Sequence, residues 1–494
     1  MPDKTIYEII LEREHPTLKE RKKIHTLIYD SYNGGVKYAQ NGYLHFHTLE
    51  SNDDYAKRSE QSTFISHTKT LIDTIVGFLY QVKPQRTYAP ELQYVIDTVN
   101  PTQSLDAFIQ KTACLSTLFT VAVLVDSPAF DPEEVRTIDD RQSLGLNPYV
   151  KRYMPWQITD YSMDSKGLLN WIIFIDNYQI ADDPFKVNEE VIVRSVWTKT
   201  ECNKFYYKEV KKGNGEKKIV FDHEEKIVHG LGEVPVLFLS FRDLSDEIFE
   251  ESFAENIALL DQKIYNYLSL LDCLLAKNAI KPLMYPCEDG KIPDSLKSAG
   301  KVSKLVVIPF PGNFTNKPYF LEANNTDIQS YLTTIDMLLK EILNLVGLSQ
   351  DQNYAVSGKA KIVELKKLEV LLIQGVKSLQ KFENDLFRLF CLWERKDYNY
   401  EIKYNVNFQE EDISEAITRL FNILTIDSKT LKSIATKEIV QKSFQDIDEQ
   451  TMDQILSEID DQTNTNEIEP GIKSDESNIK SAGLKPVNNK VKTT

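Results

Sequence analysis

No apolar run in this chain approaches the ~20 residues that span a bilayer. The longest, LFTVAVLV at 118–125, falls far short. The N-terminal stretch MPDKTIYEIILEREHPTLKERKK is charged and lacks the apolar segment of a secretory signal. Cysteine is sparse: Cys114, Cys202, Cys273, Cys287 and Cys391 are scattered, odd in number and without a CxxC pair. That spacing argues against a disulfide framework and against a zinc module. A basic excess is missing too. The formal net charge is −16, so the sequence lacks the basic face of an ordinary nucleic-acid binder. That acidity does not exclude a protein that handles DNA by repelling it, since a surface of the same sign as phosphate makes only weak contact. The expectation is a soluble chain of a reducing compartment.

Catalytic signatures are also absent. Gly358-Lys359 is not part of GxxxxGK[ST]: Asn353 stands where the first glycine belongs, and Ala360 replaces the magnesium-binding hydroxyl. No GxSxG or HExxH occurs. His45 and His47 could share one strand face, but only Glu50 lies near as a third ligand. His223 and His229 carry no stronger signal. Carboxylate-rich stretches such as DDR (139–141) and EED (410–412) read as solvated faces. The expectation is no catalysis, no cofactor and no metal.

What is present is a change of period along the chain. Helical spacing over 5–31, broken near Pro16, stops at Gly34 and Gly35. The spacing predicts one helix from Asp53 to Tyr80, then a helix running into a buried strand over 104–128. From 140 to 241 period-two alternation predicts one antiparallel sheet beside those helices, with turns at DSKG (164–167) and GNG (213–215). After Asp246 a long amphipathic helix returns, with Phe253, Ile257, Leu260, Ile264, Tyr267, Leu271 and Leu274 on one stripe. A Pro- and Gly-rich, β-branched insert follows over 280–325. Helix resumes with Ile328, Leu332, Ile335, Leu339, Ile342 and Val346 and stops at Gly347. A polar loop, SQDQNYAV, leads into a third long helix from about Ser357 to Arg395. YEIKYNVNF (400–408) predicts a strand that must join the earlier sheet or another chain. Residues 412–461 read as short acidic helices, and 462–494 as a tail without a core. Periodicity leaves open whether the long helices form an intramolecular bundle or pack around a ring axis.

The order of these segments resembles that of tailed-bacteriophage portal proteins, the head-to-tail connector family. YNGGVKYAQNGYLHFHTLESNDDYAKRSEQSTF is similar to the family's Tyr-x-Gly-Gly, aromatic stretch, Glu and Tyr-x-x-Arg, here Tyr55 and Arg58. VLVDSP (123–128), HGLGEVPVLFL (229–239) and LTIDSKTLKSI (424–434, with Ser428 and Thr430) resemble further family segments. ILNLVGLS, a polar loop and SGKAKIVELKKLE resemble the tunnel loop and the helix that follows it, with Ser357, Gly358 and Ala360 at the helix start. The loop residues QDQN depart from many members.

The resemblance implies an α+β portal-type subunit assembled as a ring, typically a dodecamer. Residues 1–245, joined by strand 400–408, would be the wing. Helices 246–279 and 324–347 would be the stem and 280–323 a small β-rich clip. Residues 348–358 would be the tunnel loop, 359–399 a long wing or channel helix, 409–461 a helical crown and 462–494 a tail. Implied partners are double-stranded DNA, terminase, neck and adaptor proteins, the major capsid protein and scaffold, at the capsid vertex of a virion. Gln350, Asp351, Gln352, Asn353 and Tyr354 would face DNA. Lys359, Lys361, Lys366 and Lys367 cluster where the loop meets its helix and are candidate phosphate contacts, although Glu364 and Glu369 could pair with them. The clip leans basic, and Lys291, Lys297, Lys301, Lys304 and Lys317 are its candidate docking residues. Two other classes compete: a scaffold or adaptor that binds proteins without forming a ring, and an enzyme whose site has no recognised motif.

Overall fold

The computed structural model describes residues 5–48, 50–128, 144–180, 189–211, 217–242, 248–249, 252–279, 282–287, 291, 294, 307–312, 317–321, 325–347, 358–406, 408, 455 and 457. Side chains at 180, 189, 211, 217, 277–279, 325–327 and 358–365 are not described. The chain divides into two compact units, Met1–Phe408 and Gln409–Thr494. Almost all of the second lies outside the described residues, as do the expected crown helices and tail.

The first unit is mixed α+β. Helix α1 (Ile6–Glu12) opens with a capping box between Thr5 and Glu8, and α2 (Pro16–Asn33) starts with Pro at its first position. Gly34, at φ 63°, ends α2 and admits α3 (Gly35–Gln40). The single helix expected over 53–80 is two, α4 (Asn52–Gln61) and α5 (His67–Leu79). Ser51 and Ser66 each cap one of them, and Ser62 to Ser66 form the break. Apolar spacing continued through Phe64 and Ile65 and so hid the interruption. Strand β1 (Gln85–Tyr88), α6 (Gln93–Asp97) and α7 (Leu105–Leu118) follow.

The single sheet expected over 140–241 is also two. Strand β2 (Val121–Asp126) is the middle of a three-stranded sheet, between β3 (Tyr149–Tyr153) and, from later in the chain, Val236–Leu239. It is buried on both faces. Val121, Val123 and Val125 enter the main core, while Ala122 and Leu124 enter a second core. A strand with no solvent face reads as a continuous apolar run, which is why VAVLV shows no alternation. The other sheet is a meander: β4 (Ile158–Met163), β5 (Leu169–Ile175), β6 (Tyr178–Ile180), β7 (Glu189–Thr198), β8 (Glu201–Lys211) and β9 (Lys217–Val228), with β6 pairing only with β7. At its first turn Asp164 accepts the Lys166 and Leu168 amides at 2.9 Å, and Gly167 takes φ 78°. The segment Val236–Leu239, β10, then closes the first sheet against β2.

Helix α8 (Glu255–Ala279) leads to β11 (Leu283–Cys287), β12 (Val307–Pro311) and β13 (Tyr319–Phe320), and the chain returns as α9 (Asn325–Leu345). Helix α10 (Gly358–Glu394) is the longest described, and β14 (Tyr400–Lys403) follows it. The strand expected over 400–408 therefore ends early and does not join the meander. It pairs antiparallel with β1, Arg86 opposite Ile402. Trp393 fixes the end of α10 by donating its indole N–H to the Val125 carbonyl at 2.9 Å. Gly375 permits close approach midway along α10: a Cβ there would lie 2.6 Å from Cζ of the buried Phe241.

Candidate functional site

Helix α8 carries the chain out to the small sheet and packs against two neighbours, while residues such as Leu259 and Leu275 stay exposed. Its apolar stripe packs on α9, with Tyr267 and Tyr331 edge to face at 5.9 Å. Its other side is polar and meets residues 43–69. Asp261, wholly buried, accepts the Thr68 amide at 2.8 Å, the Thr68 hydroxyl at 2.6 Å and His67 Nδ1 at 2.7 Å. It thus sets a carboxylate against the N-terminus of α5, where the helix dipole favours negative charge. Asn266 accepts the His45 amide at 2.7 Å and donates to the Tyr43 carbonyl at 3.1 Å.

Arg58 completes this junction. Its guanidinium is buried and grips Glu50 with two bonds of 2.7 Å. It also donates to the His45 carbonyl at 2.6 Å and to Ser269 of α8 at 2.9 Å. The Tyr55 ring lies under it at 5.5 Å, and the Tyr55 hydroxyl donates to the Leu44 carbonyl. Arg58 holds the Glu50 carboxyl below the usual carboxylate range. The Glu and Tyr-x-x-Arg of the sequence are therefore one buried clamp on the outgoing helix. Asp261, Asn266 and Ser269 had no sequence signal, because each partner lies some 200 residues away in the chain.

The small sheet has order β12-β11-β13. Strand β11 pairs parallel with β12 and antiparallel with β13, and the Leu321 amide bonds the Pro282 carbonyl at 2.9 Å. The two ends of the excursion therefore meet, and α8 and α9 run out and back side by side. Prolines at 309 and 311 lie on the edge strand, where a missing donor is tolerated. Tyr319, Phe320 and Leu321 are about half exposed, as are Leu332, Met337 and Leu345 on α9 and Leu275 on α8.

The sequence-derived residues fall as follows. The loop Gln350, Asp351, Gln352, Asn353 and Tyr354 lies outside the described residues, as do Lys297, Lys301 and Lys304. Lys291 and Lys317 are described and exposed. Lys359 and Lys361 lie in the first turn of α10, and their side chains are not described. Lys366 and Lys367 are exposed on that helix. Helix geometry puts Lys359, Lys366 and Lys377 on one face, about two and three turns apart. Lys381 and Arg388 flank that face and are exposed as well. Lys377 and Lys381 were missed because they lie beyond the loop motif, although their spacing was readable.

The histidines take structural positions. Besides the contact at His45, the His229 ring sits between Trp197 and Trp393, at 5.7 and 5.9 Å. Its Nε2 faces the Thr198 carbonyl at 3.2 Å and its Nδ1 accepts the Leu231 amide at 3.3 Å. Burial pushes its pKa down, which favours the neutral ring. His223 stacks on Tyr206 at the surface. Among the described residues no group of three His, Cys, Asp or Glu side chains is placed to hold a metal, and no helix is long and apolar enough to cross a membrane.

No protein-family model and no curated protein matches the chain. Solved structures with a partly similar fold include a chain titled "Neck of empty GTA particle computed with C6 symmetry". It has TM-score 0.43 and 11% identity, with 75% of this chain and 90% of that chain covered. Another comes from "Virion of native gene transfer agent (GTA) particle", with TM-score 0.38 and 10% identity, covering 75% and 93%. Likeness at this level defines neither a family nor a function.

Proposed function

We propose that the chain is a phage portal subunit: a non-enzymatic structural protein that forms a ring at the capsid vertex. The ring conducts double-stranded DNA during packaging and ejection, and docks first the terminase motor and then neck or tail proteins. One observation carries this reading. Helices α8 and α9 run out to a small sheet and back, clamped at the base by Arg58 and Asp261, yet bulky side chains along them and on the sheet stay exposed. Apolar groups left bare in one chain are what a neighbouring copy would cover. The exposed lysines of α10, on a chain of net charge −16, supply a local basic stripe for transient phosphate contact.

The test is native mass spectrometry with negative-stain imaging of the purified full chain. A closed ring with a central hole is the expected result. A monomer that persists across protein and salt concentrations would sink the proposal in favour of a non-ring scaffold or adaptor. Deleting Gln350–Val356 should leave rings intact while impairing DNA retention.

A further inference from the structure

Between the β10-β2-β3 sheet and the meander lies a cleft of about 180 Å³, open to solvent. Two carboxylates and two ammonium groups line it: Asp126 and Asp176, Lys151 and Lys204. Formal charge is therefore balanced, and nothing in the lining selects an ion of either sign. The polar groups are anchored but not saturated. Asp126 accepts the Tyr149 hydroxyl at 2.9 Å and the Ser127 amide at 2.8 Å. Asp176 accepts Tyr153 at 2.8 Å and also holds Lys151 and the buried Ser195 hydroxyl. A carboxylate has about four acceptor positions and an ammonium three donors. Lys204 reaches Glu225 only at 3.9 Å.

The walls are aromatic. Tyr153 is buried at the floor, stacked on Phe174 at 3.8 Å with the Lys151 ammonium 4.8 Å from its ring centre. The Tyr206 ring is held by stacking on His223 at 4.3 Å, which leaves Tyr206 and Tyr178 as the rings a ligand could face. Tyr178 is 49% exposed. Burial pushes the Asp126 carboxyl above its usual range, offset by the bonds from Tyr149 and Ser127.

We propose that this cleft is a binding site for a neutral pyranose, one sugar ring of a free or protein-linked glycan. A pyranose offers equatorial hydroxyls, each both donor and acceptor, to the Asp and Lys groups. Its C–H face, weakly positive, suits the negative face of a tyrosine ring. The volume lies below the roughly 300–1,000 Å³ of pockets for drug-sized ligands, so a single ring is the fitting unit.

The experiment is saturation-transfer NMR and calorimetry on the full chain. The probes are methyl α-D-glucopyranoside, methyl β-D-galactopyranoside and the methyl glycoside of N-acetyl-D-glucosamine, with propylammonium and acetate as ionic controls. Saturable binding of at least one glycoside is expected. Tyr178→Ala, at an exposed ring, should weaken it about tenfold, the loss of one stacked contact. Asp126→Asn, which keeps an acceptor for Tyr149, should weaken it too, and thermal midpoints check the fold of both variants. The proposal is overturned by no saturable binding to any glycoside, by equal or tighter binding of either ion, or by unchanged affinity in Tyr178→Ala. None of these outcomes bears on ring formation, which imaging reads separately.

Discussion

At the scale of single residues, His25 shows how a titratable group can serve packing alone. It is 3% exposed on α2, edge-on to Phe119 at 6.0 Å. Burial, and then the nearby Arg21 charge, lower its pKa to about 4. Unfolded, it would titrate near 6.5. Between those values the unfolded chain binds the proton and the native chain does not, so stability falls as pH drops from about 6.5 towards 4. The full effect is about 3 kcal/mol. Urea midpoints of the wild type should decline over that window, and His25→Phe should flatten this part of the profile. A variant with the wild-type slope would assign the acid sensitivity elsewhere. In the sequence His25 was one of seven histidines and carried no mark, since its burial depends on residues such as Phe119 that only the fold brings near.

Elements were legible where their period was unbroken and hidden where a distant partner defined them. The stripes of α8, α9 and α10 were plain because each helix buries one face along its length. The break between α4 and α5 was not, because its stability comes from Asp261 on another helix as much as from the Ser66 cap. Strand β1 escaped for a similar reason: QRTY has no apolar alternation and becomes a strand through β14 and through Arg86, which pairs with the buried Glu383 of α10. The Arg58 clamp makes this dependence measurable. Replacing Arg58 by Ala leaves Glu50, only 11% exposed, without its counter-charge. Breaking such a pair costs about 3–5 kcal/mol. Glu50→Gln keeps an acceptor and should cost less. Hydrogen exchange should rise first at residues 43–50 and around Ser269. If exchange in Arg58→Ala rose uniformly instead, the clamp would be general core packing and no anchor for α8.

At the scale of the molecule, the open question is what the basic face of α10 meets. The buried side of that helix is fixed by Val376, Leu379, Leu386 and Phe390, so its outward side cannot turn inward without dismantling the core. Lys366 and Lys377 are exposed there, and an acidic chain has no general reason to gather cations on one stripe. If the stripe lines a conduit for DNA, Lys366→Glu with Lys377→Glu should leave ring assembly unchanged. It should weaken binding of duplex DNA by the assembled ring and lower the salt slope by roughly one per lost phosphate contact. A subunit-interface role gives the opposite pattern, in which rings fail to form and no DNA phenotype can be read. Fluorescence anisotropy of labelled duplex across a salt series, on rings verified by imaging, separates the two. An unchanged slope on intact rings would remove α10 from the DNA path and leave the 348–358 segment to carry any contact.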